Sequence, residues 1–170
     1  MNYKRLFVPN ALLFITVVTK YRQPILIKNI ASLRKAFVIA KSWHNFHIVA
    51  AIVNHDHFHM IIQPEDIQSY PKIVRDIKAA FTKNSPVPYR VNKRGEADVW
   101  QKRFWEHTIT NEEDLYKHLD YIHYNSVKHY DIAPQKWPYS SFHKFVKEGY
   151  YSLDWCNTDD RHKIKNMDLE

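Results

Sequence analysis

Two pairs of residues have the type and the spacing to do chemistry. His57 and His59 flank Phe58 in the run HFHMIIQ, residues 57–63. Successive side chains of a strand point to opposite faces, so the two imidazoles project together while Phe58 and Met60 face the other way. Two neutral imidazoles so placed chelate one divalent cation once a third protein ligand joins them. With 11 histidines in 170 residues the pair decides little by itself, and two ordinary structural histidines are an equal reading. Tyr121 and Asn125 form the second pair. Positions i and i+4 of a helix lie within about 40° of each other, one turn apart, so phenol and carboxamide face the same site. A tyrosine oxygen can attack a phosphodiester and conserve the bond energy in a phosphotyrosine link. A carboxamide oxygen is a hard, neutral metal ligand. Taken alone, Tyr121 reads more readily as a packed tyrosine.

The elements that must position these pairs follow from periodicity. Ala11–Thr19 is a continuous apolar, β-branched run and is predicted to be a buried strand. Ile30–Trp43 places Leu33, Phe37 and Ala40 at helical spacing. Phe46–Val53 and His57–Gln63 are strands joined through Asn54, His55 and Asp56, a hairpin. Pro71 suits a first helical turn, and Ile73, Ile77, Ala80 and Phe81 form the stripe of a second helix. After an irregular loop over 84–99, Phe104–Ile109 is a fourth strand. Thr110 and Asn111 offer caps for a third helix running to about Lys128, its first turn acidic. An aromatic segment from Trp137 to Trp155 follows, then a polar tail over 156–170. The order predicts an α+β, ferredoxin-like split β-α-β domain over 1–155: an antiparallel sheet with helices on one face, plus a third helix bearing Tyr121.

Composition removes whole classes of activity. Two glycines, Gly95 and Gly149, cannot build a phosphate-cradling Gly-rich loop, so no nucleotide cofactor is expected. One cysteine excludes a disulfide framework and a multi-cysteine metal centre. No apolar run reaches the roughly 20 residues of a membrane span, which predicts a cytoplasmic protein with no membrane partner. The net charge of +7 is unevenly spread. Residues 71–103 hold nine bases and three acids, whereas 106–131 hold six acids and two bases. A polyanion beside a cation site suits that division. Arg75, Lys78 and Lys83 on the second helix, with Arg90, Lys93, Arg94, Lys102 and Arg103 in the loop, are the candidate phosphate contacts, and aromatic rings are available to stack bases.

The stretches DHFHMII (56–62), VWQKRFWEHTITNEEDLYKHLDYIHYNSVKHY (99–130) and WPYSSF (137–142) resemble the REP-associated tyrosine transposases, single-tyrosine transposases marked by a His–hydrophobic–His motif. The resemblance runs from the first strand through Trp155. It implies His57, His59 and Asn125 as metal ligands, Mg2+ or Mn2+ as the ion, and Tyr121 as nucleophile. It implies cleavage and rejoining of single-stranded DNA near hairpins, such as repetitive extragenic palindromes, through a 5′-phosphotyrosine with release of a 3′-hydroxyl. The partner would be single-stranded or hairpin DNA, bound by a monomer or homodimer at the bacterial nucleoid. Three positions depart from the family pattern: Ser126 where proline commonly follows the asparagine, Tyr130 where glycine often closes the helix, and Asn54-His55 in the turn before the histidine pair. All three are expected to lie clear of the reacting groups. Two rivals predict different behaviour: a nucleic-acid-binding module without cleavage, and a metal-dependent nuclease in which water attacks.

Overall fold

The computed structural model describes Arg5 and residues 7–156, so the polar tail beyond Cys156 lies outside the described residues. In chain order come strand β1 (Leu13–Val18), helix α1 (Ile30–Trp43), strands β2 (Phe46–Val53) and β3 (His57–Pro64), helix α2 (Tyr70–Asn84), strand β4 (Trp105–Thr108), helix α3 (Glu112–Tyr130) and a short helix α4 (Phe142–Lys147). Helix α1 and strand β2 have the bounds that periodicity predicts. Strands β1 and β4 are shorter than predicted, because β1 pairs with β3 only from Leu13↔Ile62 to Val18↔His57, and β4 with β1 only from Leu13↔Thr108 to Thr16↔Trp105. Helix α4 has six residues, too few for a helical period to emerge from the aromatic segment.

The strands pair antiparallel in the order β2-β3-β1-β4, the split β-α-β arrangement. Its two faces are covered differently. On one, Leu13, Ile15 and Val17 of β1 and Phe58, Met60 and Ile62 of β3 pack against Leu33, Ala36 and Ala40 of α1 and Ile73, Ile77 and Phe81 of α2. On the other, Phe14, Ala50, Ile52 and Ile61 meet Leu119, Tyr121 and Ile122 of α3, with Trp137, Phe142, Phe145 and Tyr151 closing the side. Helices α1 and α2 therefore share one face as expected, and α3 covers the opposite face, where His57 and His59 project.

The WPYSS segment acts as an edge strand. Val53 N–H donates to Tyr139 O at 2.8 Å and Ser141 N–H to Ala51 O at 2.9 Å, which caps the open side of β2. The Ser141 hydroxyl also reaches Nε2 of His123 at 2.8 Å, tying this segment to α3. Burial pushes His123 down to about 3, against an opposing hydrogen bond to the Leu119 backbone, so it packs as a neutral ring. Among the described residues no helix is long and apolar enough to cross a membrane.

Candidate active site

The paired imidazoles are fixed from behind. The β1–β3 register sets Thr16 opposite His59, and the Thr16 hydroxyl lies 2.8 Å from His59 Nδ1. His57 Nδ1 donates to the Asp56 carboxylate at 2.6 Å, which leaves Nε2 as the lone-pair nitrogen. Burial alone would raise the Asp56 carboxyl, but the hydrogen bond and charge of His57, joined by Arg22 at 3.2 Å, outweigh it and hold the group at about 2. Asp56 is thus ionised at neutral pH and keeps His57 in one tautomer. The two rings are buried, with centroids 4.9 Å apart.

Helix α3 brings the second pair to this face. Asn111 caps it by accepting from Asp114 N–H at 2.9 Å, and Glu112, Glu113 and Asp114 offset the positive end of the helix dipole. The helix ends at Asp131, in the left-handed region at φ 54°, so Tyr130 needs no glycine's freedom. Ser126, in the family's proline position, donates from its hydroxyl to Ile132 O at 2.9 Å. Along the helix, Asp114, His118, Tyr121, Asn125 and Lys128 follow at spacings of four, three, four and three, a single stripe. The Tyr121 ring lies 5.3 Å from His59, centroid to centroid, and edge-on to Phe14 at 5.9 Å. Tyr121 is only 1% exposed. Lys128 covers it: Nζ donates to the phenolic oxygen at 3.1 Å and sits 4.8 Å over the ring.

One departure from the family pattern lies inside the site, contrary to expectation. Asn54 is fully buried, and its amide N–H2 donates both to His57 Nε2, at 3.0 Å, and to Asn125 Oδ1, at 2.6 Å. Sequence reading placed Asn54 in a turn, where asparagine is ordinary; only the fold turns its side chain inward. His129 was missed as well, its ring edge-on to His57 at 4.9 Å. His55 does stay in the turn, its N–H donating to the Tyr130 hydroxyl at 3.1 Å.

This donor set fits a divalent cation. The lone pairs of His57 Nε2 and Asn125 Oδ1 converge on one electropositive group, the Asn54 amide hydrogens, and His59 stands beside them. Among the described residues, Asn54 Oδ1 and Asn125 Nδ2 are buried without a hydrogen-bond partner. Which amide atom is oxygen is set by the hydrogen-bond pattern, and a half-turn of Asn54 would aim its oxygen where its nitrogen now points.

The candidate phosphate contacts divide into two groups. Arg75, Lys78, Lys83, Arg90 and Lys102 line a groove of about 930 Å³ between α2 and the loop leading to β4, with Tyr21, Tyr89, Trp100 and Phe104 in its walls. Lys93, Arg94 and Arg103 are exposed and lie outside it. Within the groove Lys78 is partly committed to the wall: Nζ donates to Gln101 O at 2.8 Å, and burial lowers it to about 8. At the turn after β1, Lys20 and Tyr21 line the groove and the neighbouring Arg22 binds Asp56.

Comparison with known proteins shows the family. The family model described as "Transposase IS200 like" matches residues 8–125. A Haemophilus influenzae protein named as a REP-associated tyrosine transposase is 39% identical, over 96% of this chain and 97% of its own. The Escherichia coli REP-associated tyrosine transposase is 35% identical, over 91% of this chain and 90% of its own. A solved REP-associated tyrosine transposase bound to a REP hairpin superposes with a TM-score of 0.79 at 33% identity, covering 94% of each chain. The histidine pair, the tyrosine helix facing it and these matches together establish that the chain belongs to the IS200-like transposase family and is a REP-associated tyrosine transposase by kinship.

Proposed function

We propose that the chain nicks and rejoins single-stranded DNA beside hairpins, in the cytoplasm, with Tyr121 as nucleophile and His57, His59 and Asn125 holding Mg2+ or Mn2+. The observation that carries this reading is the convergence on one sheet face of two imidazoles, a carboxamide and a phenol from segments more than 60 residues apart. When bound, the ion would polarise the scissile phosphate and stabilise charge on the leaving oxygen. The other groups have separate tasks. Asp56 and Thr16 hold the imidazoles. Asn54 keeps His57 and Asn125 aimed at one point until the ion takes its place.

Lys128 both shields and primes the nucleophile. Its ammonium stabilises negative charge on the Tyr121 oxygen while the phenolic proton passes to solvent. An arriving phosphate draws the same ammonium away from the ring and uncovers the oxygen. That oxygen then bonds to phosphorus as the bond to the 3′-oxygen breaks. The product is a 5′-phosphotyrosine and a free 3′-hydroxyl, and attack by a 3′-hydroxyl reverses the step. The groove of Arg75, Lys83, Arg90 and Lys102, with Tyr21 79% exposed at its mouth, suits a single strand whose phosphates meet cations while its bases stack on rings. The REP hairpin held by the solved relative names the hairpin class expected as substrate.

The test is incubation with end-labelled hairpin DNA and Mn2+, followed by denaturing electrophoresis. A covalent protein–DNA band that disappears in Tyr121→Phe is expected. Cleavage without an adduct would favour attack by water, and tight binding without cleavage would favour the non-catalytic module; either result overturns the proposal.

A further inference from the structure

A second cluster of metal-binding side chains lies on the same helix stripe, outside the site just described. His107 of β4 points Nε2 at Asp114 Oδ2, 2.8 Å away, and His118 places Nδ1 3.1 Å from Asp114 Oδ1. The three donor atoms lie within 4.8 Å of one another. The two imidazoles stack with centroids 4.7 Å apart and planes 13° from parallel. Asp114 and His118 stand at i and i+4, one turn apart, while His107 comes from the neighbouring strand, a common ligand spacing.

We infer that His107, Asp114 and His118 form a second divalent-cation site, of the zinc class, which fastens the start of α3 to β4. Two imidazoles and one carboxylate are a three-ligand zinc set that leaves a fourth position for water. In a tetrahedral zinc site, donor atoms stand roughly 3.3 Å apart. Each imidazole lies within 3.1 Å of its own carboxylate oxygen, and one donor atom from each residue lies within 4.8 Å of the others, so small side-chain rotations bring the three to that spacing. The electrostatics agree. Burial lowers His118, which is therefore neutral at pH 7 despite its carboxylate neighbour, and hydrogen bonds hold Asp114 ionised against the opposing effect of its own burial. Existing hydrogen bonds survive or exchange simply. Thr110 N–H, 2.9 Å from Asp114 Oδ2, keeps its carboxylate partner. Each imidazole transfers its hydrogen to its other nitrogen, and His118 gives up its 2.8 Å bond to Asp114 O.

The site is separate from the first. The Phe14 ring stands between them, 5.4 Å from His59 and 4.7 Å from His118, so the two ions would share no ligand. Its position gives it a purpose, because Tyr121 follows His118 by three residues. An ion here would lock the first two turns of α3 to the sheet and so fix the nucleophile's approach to the paired imidazoles.

Zinc chloride titrated into the metal-stripped chain is the direct test. The double variant His57→Ala/His59→Ala, lacking the first site, is expected to retain one zinc per chain after gel filtration and to unfold several degrees higher with zinc than without. Adding His107→Ala should abolish both the retained ion and the thermal shift; Asp114→Asn, which keeps an oxygen for Thr110 N–H, should weaken binding at least tenfold. If the double variant does not fold, Co2+ absorption of the unmutated chain replaces it, with two equivalents expected and one in His107→Ala. No zinc or cobalt held by this cluster, or binding that His107→Ala leaves unchanged, overturns the inference. Zinc retention is read without DNA, so failure of this inference and failure of the adduct assay are told apart.

Discussion

The two faces of the sheet differ in what fills them. Beneath α1 and α2 the residues are almost wholly aliphatic and aromatic, from Leu13 and Met60 to Ile77 and Phe81, and shape alone decides whether they fit. Beneath α3 the buried set includes Thr16, Asn54, His57, His59, His118, His123 and Asn125. Burying such groups costs free energy unless each finds a partner. Here Thr16 meets His59, Asp56 meets His57, Asn54 meets Asn125 and Ser141 meets His123. One face supplies stability; the other gives up part of it to hold polar groups in fixed directions. Phe14 sits at the centre of the second arrangement, touching His59, His118 and Tyr121 together.

That division of labour predicts opposite responses of the two faces to mutation. Tyr121→Phe should lower DNA cleavage by roughly 10⁶-fold, to the limit of detection, while removing one hydrogen bond worth about 1 kcal/mol; adduct yield and thermal unfolding read the two quantities. Phe81→Ala, on the apolar face, should do the reverse, costing about 3–5 kcal/mol in urea unfolding while the folded fraction keeps its rate per molecule. A large loss of intrinsic rate in Phe81→Ala would break the comparison.

Subtler changes sharpen it. Asp56→Asn frees the His57 tautomer and should weaken Mn2+ binding about 10–100-fold, measured by titration with paramagnetic detection. Asp56 itself titrates well below its ordinary 3.8, at about 2, so its stabilising effect is complete above pH 4 and is lost as pH falls through 2. His123 acts over a milder range. Its folded value of about 3 lies below the ordinary 6.5, so the unfolded chain takes up the proton first. Stability should therefore decline by about 1.4 kcal/mol per unit as pH drops from 6.5 towards 3, and urea unfolding of His123→Gln should show a flatter slope. The smallest effect belongs to the groove: Lys83→Ala with Arg90→Ala should make the salt dependence of single-strand binding shallower by about 0.7 for each phosphate no longer neutralised, without altering cleavage at saturating DNA.

Much of this protein was legible before any coordinates. Helical spacing placed α1 at its observed bounds, alternation set His57 and His59 on one face with Phe58 and Met60 on the other, and the motifs DHFHMII, YIHYN and WPYSS carried the family. Each of those signals is local: a period, a cap or a short word. What only the tertiary structure decided is who meets whom across the chain. Asn54 looks like a turn residue until α3 lies over it and Asn125 arrives from 71 positions away. The imidazole–carboxylate cluster needs β4 laid beside the first turns of α3, and the Lys128 cover needs the orientation of that helix on the sheet. Such meetings arise from the packing of apolar residues elsewhere, chiefly Phe14, Leu119 and Ile122, which fix the helix on the sheet without choosing the polar partners it brings together. For that reason no sequence period records them.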